Sequence, residues 1–211
     1  MGAKNRLHAR DQRKVSLWRY VAFAIGKGKG MCRVICVAYG SNLHPVRLRK
    51  RVPSCRKLGT VRLEGYKLAF HKRSRDGSGK GNALKTGDPR DVLLGVAYSI
   101  PVSEKGDLDD AEGLGHGYIE ESISIEVNGK MFPANLYVAD GTAVDDTLAP
   151  YSWYKEMVLL GARHHAFPQE YIAQIEKVPS KEDPCIKRSK RELAIVEEIK
   201  KREPGNQPDR Q

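Results

Sequence analysis

Hydrophobic and polar residues follow patterns that predict several short strands in the first part of the chain. Residues 33–39 are apolar and rich in β-branched side chains up to Gly40, which predicts a buried strand. Residues 59–71 alternate apolar and polar side chains, which predicts a second strand with a bulge at Gly65. Residues 92–100 are apolar throughout, and we expect a third, fully buried strand there.

The remaining segments predict turns, a hairpin and helices. Residues 43–51 predict a short basic helix or turn, and the polar, glycine-rich residues 72–81 predict a loop. Asn128-Gly129 predicts the turn of a β-hairpin formed by residues 117–127 and 130–139. Helices are predicted over 101–112 (ended by Gly113), 150–163, 168–177 and 186–202. Strands early and helices late indicate one α+β domain rather than a doubly wound sheet.

Charge is distributed unevenly along the 211 residues, whose net charge is +11. Residues 44–80 carry 12 Lys and Arg against 2 acids, whereas residues 81–180 carry 7 against 16. A basic stretch is typical of a solvated face, but it also raises nucleic acid or another polyanion as a partner. Single-strand binders interleave aromatic residues with the basic ones. Residues 44–80 contain only Tyr66 and Phe70, so the sequence disfavours nucleic acid.

The two ends of the chain differ in character from its middle. Residues 1–30 carry 8 Lys and Arg against 1 acid, and Arg19 interrupts their short apolar run, so they resemble a signal peptide only loosely. We interpret them as a basic N-terminal extension, translated from an upstream start codon. Residues 31–180 are predicted to form the folded domain. Residues 181–211 are predicted to form a charged helix followed by a disordered tail.

Several protein classes are disfavoured by what the sequence lacks. No window approaches the roughly 18 consecutive apolar residues of a membrane-spanning helix. The four cysteines, at positions 32, 36, 55 and 185, contain no CxxC pair, and the adjacent His164 and His165 point to different faces of a predicted helix. We therefore expect no metal site and no disulfide framework, and we expect a reducing cytoplasm. A homodimer is compatible with these patterns.

The turn after the first strand, Tyr39-Gly40-Ser41-Asn42-Leu43, is the first candidate for chemistry. A polar turn between a strand and a helix presents consecutive backbone N–H groups, which suit a carboxylate ligand. Ser41 lacks the G-x-S-x-G elbow of a serine hydrolase, so a nucleophilic role is disfavoured. Polar turns of this kind are common, and the motif alone does not decide the function.

Glu112 is the second candidate, because it is the last residue of a predicted helix and directly precedes Gly113. The helix dipole disfavours a charged carboxylate at this end, and the neighbouring Asp109 and Asp110 repel it. Both effects suit a general acid or base. A solvated acidic helix end is the alternative interpretation.

Together these motifs resemble those of the γ-glutamylcyclotransferases, whose members begin with a strand ending in YGSNL and carry a catalytic Glu before a Gly. The resemblance continues in the strand Gly95–Tyr98, in LDDAEG at residues 108–113 and in the stretch Trp153–Ile175, and it covers about residues 32–178. It implies an α+β fold, a small mixed β-barrel with flanking helices in a single domain. It implies no cofactor and a small-molecule γ-glutamyl substrate.

The resemblance also implies a role for each matching residue. Glu112 would act as general base and then as general acid. The turn Tyr39–Leu43 would hold the γ-glutamyl group through the backbone N–H groups of Gly40, Ser41 and Asn42. The pocket would be lined by Tyr118, Tyr137 and either Tyr154 or Tyr151, with Tyr154 preferred.

The implied reaction cyclises a γ-glutamyl amide to 5-oxoproline and releases an amine or amino acid. Leaving-group recognition is expected in loops such as residues 72–90. Two alternatives stay open at this stage. The first is removal of a γ-glutamyl group from a specialised metabolite, and the second is a non-catalytic module that binds RNA or another polyanion.

Overall fold

A computed structural model describes residues 32–203, and these residues form seven strands and five helices. The strands are β1 (Arg33–Ala38), β2 (Arg56–Glu64), β3 (Tyr66–Arg73), β4 (Gly79–Lys85), β5 (Val92–Pro101), β6 (Tyr118–Val127) and β7 (Lys130–Ala139). The helices are α1 (Pro45–Arg49), α2 (Val102–Glu112), α3 (Ser152–His164), α4 (Gln169–Glu176) and α5 (Ile186–Arg202). The predicted N-terminal extension, and the predicted tail from residue 204 onward, lie outside the described residues.

Five strands form a mixed sheet in the order β2-β5-β1-β7-β6. The central strand β1 pairs antiparallel with β5 and parallel with β7. The sheet curls until its edge strands meet, since a Cβ atom placed on Gly59 of β2 would lie 2.8 Å from Val127 Cγ1 of β6. The prediction of an α+β domain with a small mixed barrel and flanking helices is confirmed, with the barrel present as a curled half-barrel.

Alternating side chains of β1 divide the core in two, as the pleat of a strand requires. Val34 and Cys36 point to the helix side and pack in one cluster with Met157 of α3 and Ile199 of α5. Ile35 and Val37, which alternate with them along β1, point into the curl of the sheet and belong to a second cluster. The turn that follows β1 therefore lies at the centre of one end of the sheet.

Two predictions about residues 59–81 are wrong. The single strand predicted over 59–71 is two strands, because Gly65 adopts a φ of +75° and turns the chain out of the main sheet. The strand β3 that follows pairs with β4 in a separate two-stranded sheet. The loop predicted over 72–81 is largely this hairpin, with its tip closed where Asp76 accepts hydrogen bonds from the N–H and hydroxyl of Ser78.

The predicted end of the second helix and the predicted hairpin are confirmed. Gly113 has a φ of +76°, and its N–H donates to the carbonyl of Asp109 at 2.9 Å, which closes α2 directly after Glu112. Asn128 and Gly129 both have positive φ, as a tight hairpin turn between β6 and β7 requires. Among residues 32–203, no helix combines the length and apolar character needed to cross a membrane.

Candidate active site

The turn Tyr39–Leu43 connects β1 to α1 and is fixed at both ends. The Leu43 N–H donates to the Gly40 carbonyl at 3.0 Å, which closes the turn. His44 then caps α1, because its Nδ1 atom accepts a hydrogen bond from the Val46 N–H at 3.2 Å. Gly40 has no room for a side chain, since a Cβ atom there would lie 2.9 Å from the Tyr154 hydroxyl.

A cavity of about 460 Å³, counting its open mouth, lies beside this turn. It is lined by backbone or side chains of eight predicted site residues: Tyr39, Gly40, Ser41, Asn42, Glu112, Tyr118, Tyr137 and Tyr154. Eight helices and strands and the turn after β1 supply these and the remaining lining residues, among them Cys36, Leu48, Gly81, Tyr98 and Leu108. The structure thus brings most of the predicted residues to one place.

Two of the residues considered from the sequence lie elsewhere. Leu43 is fully buried and does not line the cavity, and its carbonyl accepts the Tyr98 hydroxyl at 2.8 Å. Tyr151 precedes α3 rather than lying within it, and its hydroxyl donates to the Asp76 carbonyl at 2.6 Å outside the cavity. Of the two candidate tyrosines, Tyr154 is therefore the one at the cavity.

The Glu112 carboxylate is held through one of its two oxygens. Oε1 accepts a hydrogen bond from Asn42 Nδ2 of the turn, and Arg51 Nη1 lies 3.3 Å from the same oxygen. Arg51 Nη1 also donates to Asn42 Oδ1 at 3.1 Å, so the three side chains form a closed ring. Sequence reasoning missed Arg51, because it lies 61 residues from Glu112 and looks like any other basic residue of its stretch.

The three acids at the end of α2 do not share one environment. Asp109 accepts the Tyr137 hydroxyl at 2.5 Å and pairs with Lys105, whose ammonium group also lies 2.6 Å from Glu120. Asp110 is exposed to solvent. The repulsion expected among these three acids is therefore reduced, because Lys105 compensates the charge of Asp109.

The cavity tyrosines are neutral and already bonded within the fold. Burial raises the pKa of Tyr154 to about 12 and raises the pKa values of Tyr39, Tyr118 and Tyr137 further. Tyr39 donates to the Tyr137 carbonyl, Tyr118 donates to the Gly81 carbonyl, and Tyr154 accepts the Gly81 N–H at 3.0 Å. These hydroxyls shape the cavity wall, and their raised pKa values exclude a role as bases near neutral pH.

One cluster in the described residues has the ligand types of a metal site. His44, His164 and Glu203 bring three potential ligand atoms within 4.8 Å of one another. His44 Nδ1 accepts the Val46 N–H, so its Nε2 atom carries the proton and donates to Glu203 Oε1 at 2.9 Å. The cluster is thus complete as a hydrogen-bonded group at the end of α5, and its residues do not line the cavity.

Comparisons with known proteins extend this description. A family model described as the AIG2-like family matches residues 92–175. The γ-glutamylcyclotransferase of Mus musculus is 30% identical over 151 residues, which cover 69% of this chain and 78% of that protein. The Homo sapiens protein of the same name is 29% identical over 147 residues, covering 67% and 76%.

Solved structures show the same fold. An uncharacterized protein from Homo sapiens superposes with a TM-score of 0.68 at 25% identity, covering 78% of this chain and 98% of that one. A structure named γ-glutamyl cyclotransferase has a TM-score of 0.68 at 24% identity, covering 79% and 99%. YkqA from Bacillus subtilis has a TM-score of 0.60 at 21% identity, covering 71% and 56%.

Proposed function

This chain belongs to the γ-glutamylcyclotransferase family, and we propose that it cyclises the γ-glutamyl group of a small-molecule amide to 5-oxoproline, releasing an amine or amino acid. The observation that carries the proposal is the position of Glu112. Its carboxylate lies at the cavity beside the turn Tyr39–Leu43, and its hydrogen-bond partners among residues 32–203 all contact Oε1. A carboxylate so placed can exchange a proton with a ligand in the cavity.

The reaction uses a nucleophile that the substrate already carries. The α-amine of a γ-glutamyl amide can attack its own γ-carbonyl carbon and close a five-membered ring. Because the attack is intramolecular, the protein's task is to hold the substrate in a conformation close to attack. The narrow cavity between the turn and the tyrosine walls supports this role.

Glu112 would account for the proton balance of the whole reaction. It accepts a proton from the α-ammonium group, and the free amine then forms a bond to the γ-carbon. When the tetrahedral intermediate breaks the bond between the γ-carbon and the leaving nitrogen, Glu112 returns the proton to that nitrogen. The ring nitrogen still carries one proton more than the lactam product, and it gives that proton to Glu112, which passes it to the released amine or to solvent. Positioned proton transfer of this kind typically contributes 10²–10⁴-fold to the rate.

The backbone of the turn would stabilise the charge that develops on the substrate. Gly40, Ser41 and Asn42 line the cavity, and their N–H groups are the proposed donors to the γ-carbonyl oxygen or the α-carboxylate. A preorganised donor to an oxyanion typically contributes about 3 kcal/mol. Gly81 of the β3–β4 hairpin also lines the cavity, so we propose that the leaving group is recognised on that side.

The ion pairs made by the basic stretch, residues 44–80, favour the catalytic proposal over the alternative of polyanion binding. Arg47 pairs with Glu192 at 3.1 Å, Lys50 pairs with Glu198 at 2.6 Å, and Arg51 contacts Glu112. Charges compensated in this way are less available to a phosphate backbone.

The four free cysteines are consistent with the proposed reducing cytoplasm.

The proposal is tested by mass-spectrometric detection of 5-oxoproline released from a panel of γ-glutamyl dipeptides. We expect release by the wild type and its loss in Glu112→Gln. The matched control is Asp110→Asn, a neighbouring acid that is exposed and does not line the cavity. Release that survives Glu112→Gln would remove Glu112 from its role. A folded wild type that releases no 5-oxoproline from γ-glutamyl dipeptides or γ-glutamyl amines would overturn the proposed activity.

A further inference from the structure

We propose that Arg51 and the side chain of Asn42 are positioning residues that hold Glu112 by Oε1, so that Oε2 is the oxygen that carries the transferred proton. This inference rests on the proposed function and specifies how its central carboxylate works. It is carried by the closed ring of hydrogen bonds among the three side chains.

The side chain of Arg51 points in a different direction from those of the other basic residues around α1. Arg47 and Lys50 both reach α5, where they pair with Glu192 and Glu198. Arg51 follows α1, its N–H donates to the Leu48 carbonyl at 2.9 Å, and its guanidinium reaches Glu112. The backbone of Arg51 is therefore fixed by α1, and its positive charge lies beside Glu112 at the cavity.

The amide of Asn42 has only one orientation that satisfies both neighbours. Its Nδ2 atom donates to Glu112 Oε1, and its Oδ1 atom accepts from Arg51 Nη1 at 3.1 Å. A flipped amide would set an NH₂ group against the guanidinium and an oxygen against the carboxylate. Arg51 thus fixes Asn42, and both of them fix the carboxylate.

The two oxygens of Glu112 are left chemically different. Both contacts fall on Oε1, and no residue among 32–203 is hydrogen-bonded to Oε2. Donors on Oε1 stabilise negative charge there, so the proton is accepted at the oxygen that has no donor. The Glu112 side chain is 23% exposed and lines the cavity, so a ligand in the cavity can approach the carboxylate.

Arg51 also places a positive charge beside the carboxylate that accepts the first proton. The C-terminus of α2 disfavours a negative charge, whereas a guanidinium 3.3 Å from Oε1 favours it. The carboxylate must be charged to accept the α-ammonium proton, and Arg51 is the cation that lies beside it. A residue that acts in this way changes the pH dependence as well as the rate.

The test compares Arg51→Met, Arg51→Lys and Lys50→Met with the wild type. Rates of 5-oxoproline release from one γ-glutamyl dipeptide are measured against pH and substrate concentration. We expect Arg51→Met to lower kcat roughly 10–100-fold and to move the acidic limb of the kcat/KM profile to higher pH, because an opposite charge has been removed. Arg51→Lys should return the acidic limb of the pH profile to its wild-type position, because lysine keeps the positive charge. It should restore only part of kcat, because lysine lacks the paired N–H donors of the guanidinium group.

Lys50→Met is the matched control, because it removes a neighbouring cation that pairs with α5 and should leave both quantities unchanged. Asn42→Ala should lower kcat with a smaller movement of the limb, since the amide is uncharged. An Arg51→Met variant with an unchanged limb and kcat would overturn the inference, as would a change in KM alone, which would make Arg51 a substrate-binding residue.

A second measurement does not depend on turnover and so separates this inference from the proposed function. The acid titration of the Glu112 carboxyl carbon is followed by NMR in protein labelled at glutamate, with the resonance assigned by its loss in Glu112→Gln. We expect its midpoint to move to higher pH in Arg51→Met and to stay unchanged in Lys50→Met. Equal midpoints in Arg51→Met and wild type would refute the electrostatic role, whether or not the protein releases 5-oxoproline.

Discussion

Asp109 and Glu112 lie three residues apart in the last turn of α2, and each carboxylate contacts a different cation. Asp109 pairs with Lys105, whose side chain is 2% exposed, and also accepts the Tyr137 hydroxyl. Glu112 contacts Arg51, whose side chain is 20% exposed, and leaves Oε2 without a donor among the described residues. The same functional group thus serves the fold at one position and is available for chemistry at the other.

The difference comes from what surrounds each cation. Lys105 lies between Asp109 and Glu120 and ties α2 to β6, while Tyr137 adds a bond from β7. Burial alone would lower the pKa of Lys105, but its interactions with Cys36 and with these two carboxylates together outweigh burial and raise it. An ion pair enclosed in this way is costly to separate. Arg51 is more exposed, and its partner can be reached from the cavity.

The largest effect should come from exchanging the two acids for their amides. Glu112→Gln should lower kcat/KM roughly 10²–10⁴-fold and change the free energy of unfolding by less than about 0.5 kcal/mol. Asp109→Asn should do the reverse, with a loss of about 1–3 kcal/mol in stability and a less than tenfold loss of rate. Both variants are measured by 5-oxoproline release and by urea unfolding. Parallel losses in both measurements would contradict the division of roles.

Removing the buried cation should be the next largest change. Lys105→Met leaves Asp109 and Glu120 without their shared partner, and we expect a loss of about 3–5 kcal/mol in the free energy of unfolding. The control is Arg62→Met, which removes the exposed partner of Glu64 and should cost at most about 1 kcal/mol. Equal losses in the two variants in urea unfolding would show that Lys105 is not the centre of the cluster.

Tyr137→Phe should have a smaller effect, because Asp109 keeps Lys105 when the hydroxyl is lost. We expect a decrease of about 1.5–3 kcal/mol in the free energy of unfolding, the range for a hydrogen bond to a charged group. The effect should nearly vanish when Tyr137→Phe is combined with Asp109→Asn, since the coupling between contacting groups is then already lost. Additive losses in this double-mutant cycle would be inconsistent with the observed bond.

Asp110→Asn should have the smallest effect of all. Asp110 is exposed at the same helix end, so the change should alter stability by less than about 0.5 kcal/mol and leave the rate unchanged. A small gain in stability is the more natural direction, because the substitution removes a negative charge from a helix C-terminus. A loss of rate comparable to that of Glu112→Gln would mean that the wrong acid has been placed at the cavity.

Features determined by neighbouring residues were predictable from the sequence. The end of α2 at Gly113 and the turn at Asn128-Gly129 follow from backbone preferences that only a few residue types share. Gly65 shows the limit of this reasoning, because a glycine within a strand pattern fits a bulge as well as a corner. Which of the two forms depends on pairing with β4, a partner that comes later in the chain.

The candidate site was predictable where it lies in a motif and not where it depends on distant contacts. Glu112 and the turn Tyr39–Leu43 are recognisable from the residues next to them. Arg51 is recognisable only by its approach to Glu112 across 61 residues, and the choice of Tyr154 over Tyr151 depends on where α3 begins. The role of Asp109 likewise depended on Lys105, whose burial no local pattern reveals.

The Tyr154 hydroxyl places a constraint on how this sequence can diverge. A Cβ atom on Gly40 would lie 2.9 Å from that oxygen, and one on Gly81 would lie 3.2 Å from it. Substitutions at the three positions are therefore coupled, because a side chain at either glycine requires the hydroxyl to move or to be removed. Among relatives that keep this geometry, an alanine at either glycine should be accompanied by a phenylalanine or smaller residue at the position of Tyr154.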